Sequence, residues 1–497
     1  MNKIAIQTKY QEFFLWGLAA FVAVCAGAIS ITGNLKLIGL FLGGFTGLII
    51  ALYPALLFWI AILVSLIVAG LAQLYLPQLQ LIRWAIIPVT FALLLHAFLQ
   101  LFQPVTQQEN ISRTMPVIVG ISIAFILINV FSAVLNLQTL PSFITGFKGY
   151  FQVWGLLFAM AYIGWDKRLM EITLPRVIFI IALIQIPFAL HQYLFVVPSR
   201  VGIVRGLVPI DIVSGTFGGS VLGGGANAVL AAYMFVVWSC VLALWKNKVI
   251  SLTRMLVISA ILLSPVLINE AKVSVVYVVA VFLTVFRRGS FKNMLRFIGI
   301  GFVSFAIVAI MLAAFVRHAP EGKVESWSDL IAYTYEYNVE KDDAFGDKLS
   351  RGGAIKLWMQ EHGSLTHTLF GYGVGATRSE ERNQLAQQLG INNPASYGVG
   401  AIAIVAVLWE SGITGLLVMI MLFFVAFRTA GKLESEYEMN PWLSALFVGL
   451  QGAIVVLFIS LWHKNFFVFH IGFQAIPILI FGYLAYWSRQ KKINGRQ

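Results

Sequence analysis

Residues 350–416 read SRGGAIKLWMQEHGSLTHTLFGYGVGATRSEERNQLAQQLGINNPASYGVGAIAIVAVLWESGITGL. They close a polar segment of about 80 residues, His318 to Tyr397, and then run without a break into an apolar helix. Outward from there, in both directions, almost everything is hydrophobic. The chain is 59% hydrophobic and 11% charged over 497 residues, with a mean hydropathy of +0.86. A soluble protein of that length needs far more charge to cover its surface. Apolar runs of roughly 17–25 residues are each long enough to cross about 30 Å of hydrocarbon. The fold class expected is an all-α polytopic membrane protein with about 14 transmembrane helices.

The expected spans are 13–31, 35–51, 53–75, 81–101, 115–136, 148–165, 174–197, 227–245, 252–267, 272–286, 293–317, 399–427, 441–461 and 466–487. They divide the chain into eleven helices over 1–317, one large outer loop with short helices over 318–397, and three helices plus a tail over 398–497. The first span, behind Lys3 and Lys9 and without a cleavage site, is expected to stay as a signal-anchor. Cys25 and Cys240 both fall in predicted spans far apart, which leaves no disulfide framework and no zinc cluster.

A net charge of +13 would point to nucleic acid in a soluble chain. Here the cations cluster in short connections of one parity: Arg113, Lys167, Arg168, Arg176, Lys246, Lys248, Arg254, Arg287, Arg288, Lys292, Arg296, Arg428, Lys432, Arg489, Lys491 and Lys492. The positive-inside rule makes those connections and both termini cytoplasmic, and no nucleic-acid partner is expected. The large loop then lies outside.

The exceptions carry the functional signal. Arg200 and Arg205 lie in a connection that ends in the glycine-rich run 215–225. Lys272 sits beside Glu270 in a tight turn, and His463 and Lys464 sit in another. Arg351 and Arg378 belong to the large loop. Snorkelling or local ion pairing explains any one of them. Together, from four separate connections, they point to an anion site at the outer interface, because ionisable groups cost roughly 2.5–3.5 kcal/mol at a span centre. The glycine run offers either loose packing before a span or backbone N–H groups and a helix N-terminus for a phosphate. In the loop, Ala354, Leu357, Trp358 and Leu365 have the spacing of a short surface helix. Glycines 352, 353, 371, 373 and 375 flank it and suggest a mobile cover.

Arg351 and Trp358, then Phe370-Gly371-Tyr372-Gly373-Val374-Gly375, then Glu410-Ser411-Gly412-Ile413-Thr414-Gly415, together resemble the O-antigen ligase and O-antigen or exopolysaccharide polymerase superfamily. The Gly215–Asn227 run looks like that family's turn before a span. The resemblance implies a C-type membrane glycosyltransferase of the bacterial inner membrane. It would act on glycans carried by undecaprenyl pyrophosphate, with no metal or other cofactor. Membrane lipids, a chain-length regulator and a flippase are the expected partners.

Breaking the sugar–pyrophosphate bond requires stabilisation of a growing negative charge, which Arg provides bidentately where water is scarce. The cations expected to bind pyrophosphate are Arg200, Arg205, Lys272, Arg351 and Arg378. Candidates to assist the acceptor hydroxyl are His362, His367, Asp211 and Glu410, the last equally readable as a capped structural carboxylate. Ligases of the family carry a His about nine residues before that Glu, where this chain has Ala401. The outer aromatics Trp327, Tyr333, Tyr335 and Tyr337 suit a sugar chain. Polymerase is therefore expected over ligase. A flippase is the alternative of another class, set back by the scarcity of mid-span charge and the size of the loop.

Overall fold

The computed structural model describes residues 47, 51–101, 114–202, 209–221, 224–290, 328, 329, 332, 335, 350–378 and 402–490. The expected spans 13–31 and 293–317, almost all of 35–51, and the sites Arg205, Trp327, Tyr333, Tyr337 and Ala401 lie outside the described residues, as do Arg113, Lys292, Arg296, Lys491 and Lys492 of the basic connections. The chain divides into two compact units, Met1–Trp59 and Ile60–Gln497. In the first, a helix begins at Pro54, and the Phe58 and Trp59 rings meet edge to face at 5.3 Å. Everything below concerns the second, apart from the first residues of the helix that begins at Pro54.

Among the described residues the fold is all helix, with one isolated bridge between Gly219 and Gly225 and no strand. Nine helices there are long and apolar enough to cross a membrane. They are α1 (Pro54–Tyr75), α2 (Pro77–Leu101), α3 (Val117–Leu135), α6 (Leu169–Arg200), α7 (Asn227–Lys246), α8 (Leu252–Asn269), α12 (Ala403–Glu436), α13 (Pro441–His463) and α15 (Ile471–Arg489). Between them lie α4 (Leu140–Phe151), α5 (Gly155–Tyr162), α9 (Ser274–Ser290), α10 (Arg351–Glu361), α11 (Leu365–Phe370) and the single turn α14 (Phe466–Phe469). The expected span 148–165 is thus two shorter helices. Residues 152–154 separate them, where the Thr90 hydroxyl takes the Gln152 carbonyl at 2.7 Å and the Gln152 amide reaches Gln474 at 3.0 Å.

The centre consists of α15, α7 and α13, whose apolar windows are 94%, 83% and 78% buried; α2, at 22%, lies at the edge. Lipid tails are as apolar as leucine, so helices here associate through close packing of small residues. Gly449 of α13 lies against the Cys240 backbone of α7, where a Cβ would fall 2.5 Å from Cα. One turn on, Gly452 faces Ser239, whose hydroxyl donates to the Gly449 carbonyl at 2.7 Å.

Contacts sort the helix ends into two groups. At one end Asn440 donates to Glu171 (2.9 Å), Lys246 to the Val285 carbonyl (2.8 Å), Arg287 to Gln451 (2.7 Å) and Arg489 to the Ala161 carbonyl. That end holds, among the described residues, cations that the sequence assigns to cytoplasmic loops. The opposite end holds Arg200, Lys272, Arg351, Arg378 and Lys464, together with Arg83 and Lys148.

Candidate functional site

At this second end a broken helix and a glycine turn are built into each other. Within α12, Gly412 leaves helical geometry at φ +66°, ψ −167°. Gly371, which ends α11, has almost the same angles, +72° and −168°. Only glycine occupies that region readily. A Cβ on Gly371 would fall 2.4 Å from the Glu410 carbonyl carbon, and one on Gly412 would fall 2.3 Å from that of Leu369. The two backbones touch because neither residue has a side chain. The break frees the Trp409 and Glu410 carbonyls, which accept from the amides of Tyr372 (2.7 Å) and Gly373 (3.0 Å). Irregular backbone at membrane depth survives when protein satisfies it in this way. From α3, the Ser132 hydroxyl lies between the Phe370 and Glu410 carbonyls, and Asn136 donates to the Gly371 carbonyl at 3.0 Å.

Glu410 is fully buried. One carboxylate oxygen accepts from the Gly375 amide at 2.8 Å, and the other from the amide (3.2 Å) and the hydroxyl of Thr377. Its carboxylate is therefore the clasp of the 371–378 turn. Gly375 packs on Gly146 of α4, and the Arg378 guanidinium presses on Gly149, where a Cβ would fall 1.4 Å from a terminal nitrogen. Arg378 also lies 5.1 Å over the Phe469 ring.

Arg351 opens α10 behind its Ser350 cap, whose hydroxyl accepts from Gly353 at 3.0 Å. Its guanidinium donates to the His463 carbonyl at 2.9 Å and to His463 Nδ1 at 3.1 Å. Arginine only donates, so His463 accepts through Nδ1 and carries its proton on Nε2. Beneath lies Ser460, whose hydroxyl donates to the Val456 carbonyl (2.8 Å) and accepts from Tyr277 at 2.6 Å. The rest of α10 buries Ala354 and Trp358 against Val405, Leu408 and Trp409. Two expectations change here. Gly352 and Gly353 form the first turn of α10 instead of flanking it, and Leu365 is an exposed residue of α11, outside the packed face.

The histidines flank Tyr372. His367 stacks on its ring at 4.0 Å, and its Nδ1 lies 3.1 Å from the Ser364 hydroxyl. Burial pushes the His367 imidazole below its ordinary range, which keeps it neutral at neutral pH. His362 turns its Nδ1 to the carbonyls of Trp358 (3.1 Å) and Met359 (3.0 Å) on its own helix. Eleven residues separate it from Arg351, roughly 16 Å along α10.

Asp211 and Lys272 meet elsewhere. Asp211 accepts from Asn227 at 3.1 Å, and Asn227 and Asn269 exchange side-chain bonds to each other's carbonyls at 3.2 and 3.0 Å. The charges of Glu270 and Asp211 both act on Lys272. Arg200 is fully buried and donates to the carbonyls of Val221 (3.0 Å) and Pro209 (2.8 Å), the geometry of a strut across its loop. At the start of the glycine run, Gln192 accepts from the amides of Ser214 and Gly215, and Gln185 from that of Thr216. Those N–H groups are thus held by side chains. His470 ties the run to α15, with Nε2 on the Phe217 carbonyl at 2.9 Å and Nδ1 accepting from Phe473 at 3.1 Å.

The sequence reading missed Arg83 and Lys148. Lys148 Nζ stands 2.9 Å from the centre of the Trp84 ring. Both follow the parity that marked the other exceptions, but each lay just inside a predicted span start, at 81 and 148. Towards the other end, a cavity of about 380 Å³ lies among α6, α7, α13 and α15, lined by Phe179, Tyr233, Val237, Leu446 and Ile480. Its wall is almost wholly apolar, which suits a hydrocarbon chain.

No protein-family model and no curated protein matches the chain.

Proposed function

We propose that the protein is a polysaccharide polymerase, transferring a growing glycan from undecaprenyl pyrophosphate to a lipid-linked repeat unit at the outer face of the bacterial inner membrane. The observation that carries this reading is that Arg351, bonded to His463, and Arg378, at the end of the turn that Glu410 clasps, both stand at the end opposite the basic connections. The positive-inside rule makes that end periplasmic and both termini cytoplasmic. The residues that carry the family resemblance, scattered over 350–415, are the same ones that interlock here.

In this mechanism the bond from the sugar anomeric carbon to the pyrophosphate oxygen breaks as the acceptor hydroxyl oxygen attacks that carbon. Arg351 stands at the N-terminus of α10, where the helix dipole and the guanidinium are both positive, so the two together favour the departing pyrophosphate. Neutral His463 orients the guanidinium without cancelling its charge. The hydroxyl proton passes to water or to an imidazole, for which His367, neutral and stacked on Tyr372, is the candidate. Glu410 positions the turn, Arg200 braces its loop, and Asp211 partly neutralises Lys272. None of these three is assigned the proton transfer.

A deletion strain tests the reading. It should accumulate single repeat units on lipid and lose long polymer. Full-length polymer left on undecaprenyl pyrophosphate would make the protein a ligase. Repeat units confined to the cytoplasmic leaflet would make it a flippase.

A further inference from the structure

Arg83, Lys148 and Arg378 come from three separate parts of the chain, and nothing in the transfer mechanism uses the first two. Lys148 lies on the Trp84 ring, next in sequence to Arg83. Arg378 presses on Gly149, next in sequence to Lys148. The charges acting on the Lys148 ammonium are those of Arg378 and Arg83, both of its own sign, and Arg83 also acts on His470. Cations gathered from separate parts of the chain in this way attract an anion.

We propose that Arg83, Lys148 and Arg378 form a binding site for a phosphate carried on a lipid, separate from the Arg351–His463 pair. All three cations are half-buried, and two exposed aromatic rings rim them, Trp84 (47% exposed) and Phe469 (42%). Aromatic side chains of this kind mark the headgroup level of a membrane, and clustered cations draw anionic lipid. The case for a lipid over a free anion comes from α2. Phe91, Leu95 and Phe98 follow Trp84 by seven, eleven and fourteen residues, one face of a helix, and all are exposed. A lipid with its phosphate among the cations would lay its hydrocarbon along that stripe.

The inference does not rest on the transfer reading, since the probes carry no glycan. Purified full-length protein in neutral detergent would be titrated with polyprenyl monophosphate, phosphatidylglycerol, phosphatidylcholine and inorganic phosphate, and binding read by native mass spectrometry and thermal shift. At least one of the two anionic lipids should bind, and the better binder of the pair identifies the source of the phosphate. The double variant Arg83→Gln/Lys148→Gln should bind it at least about tenfold more weakly. The charge-keeping Arg83→Lys/Lys148→Arg should stay within a few-fold of wild type. Should the double variant fail to fold, Lys148→Gln alone is expected to lose several-fold. Equal binding by wild type and the Gln variants would overturn the site. So would displacement of the lipid by inorganic phosphate at equal concentration.

Discussion

Glu410 shows what a single buried carboxylate does here. Three donors from one turn converge on its two oxygens. Glu410→Gln keeps the shape and turns one acceptor into a donor, so an N–H faces an N–H. That should destabilise the protein by about 1–3 kcal/mol, seen as a lower apparent melting temperature in detergent at a fixed scan rate. An unchanged melting temperature would mean the clasp is not formed. His470 supplies a pH dependence. Packing pushes its imidazole down to about 4, with Arg83 adding to the effect and the bond to the Phe217 carbonyl opposing it. An unfolded histidine takes its proton near pH 6.5. Between the two values the unfolded chain binds more protons, so this contribution is full above about pH 6.5 and fades as pH falls toward about 4. The wild type should therefore lose more thermal stability than His470→Gln over that window; parallel curves would contradict the assignment. At this scale the sequence was legible where a residue broke the charge bias visibly, as Arg351 and Arg378 do. Arg83 and Lys148 escaped because hydropathy places a span start no better than about one turn, and a cation inside that turn drops out of the loop count. Arg200 was visible, but its carbonyl partners, Val221 and Pro209, belong to a loop path that no local pattern encodes.

Among the elements, the interlocked turn and helix break decide the architecture of the site. The glycines of 370–375 and of 410–415 were legible as special backbone, but their mutual contact was not, since nothing in either stretch says that the other fits against it. Gly412→Ala meets both a backbone strain and a collision with Leu369, and should cost about 2–5 kcal/mol. Gly202 is the control. Its φ is +78° with nothing within 4 Å of a Cβ, so Gly202→Ala meets strain alone, about 1–2 kcal/mol. Melting curves of the two variants should separate clearly, and coincident curves would show that the Gly412 backbone does not touch α11. The pair α4 and α5 teaches the same lesson. Residues 140–162 are apolar enough to read as helix, and the break at 152–154 follows from Thr90 and Gln474, which are distant in sequence. The loop helix α10 was legible from its Ala354–Trp358 face, and Ala354 and Trp358 are fastened to α12.

At the scale of the whole molecule, hydrocarbon imposes the pattern that made the fold readable: long apolar helices with polar ends and cations sorted between them. Nine such helices stand among the described residues, and they match the spans read from hydropathy to within the ends. The proposed function rests on which end holds the exceptional cations, and a direct test bears on that point. The direct measurement is to incubate purified protein with lipid-linked repeat units and follow glycan length. Products longer than one repeat are expected with wild type. Rates about two to three decades lower are expected with Arg351→Ala, with poor rescue by Arg351→Lys, because a bidentate donor stabilising the departing pyrophosphate contributes about 3–4 kcal/mol. Glycans that never lengthen with folded wild-type protein, or that lengthen equally with Arg351→Ala, would contradict the proposed function.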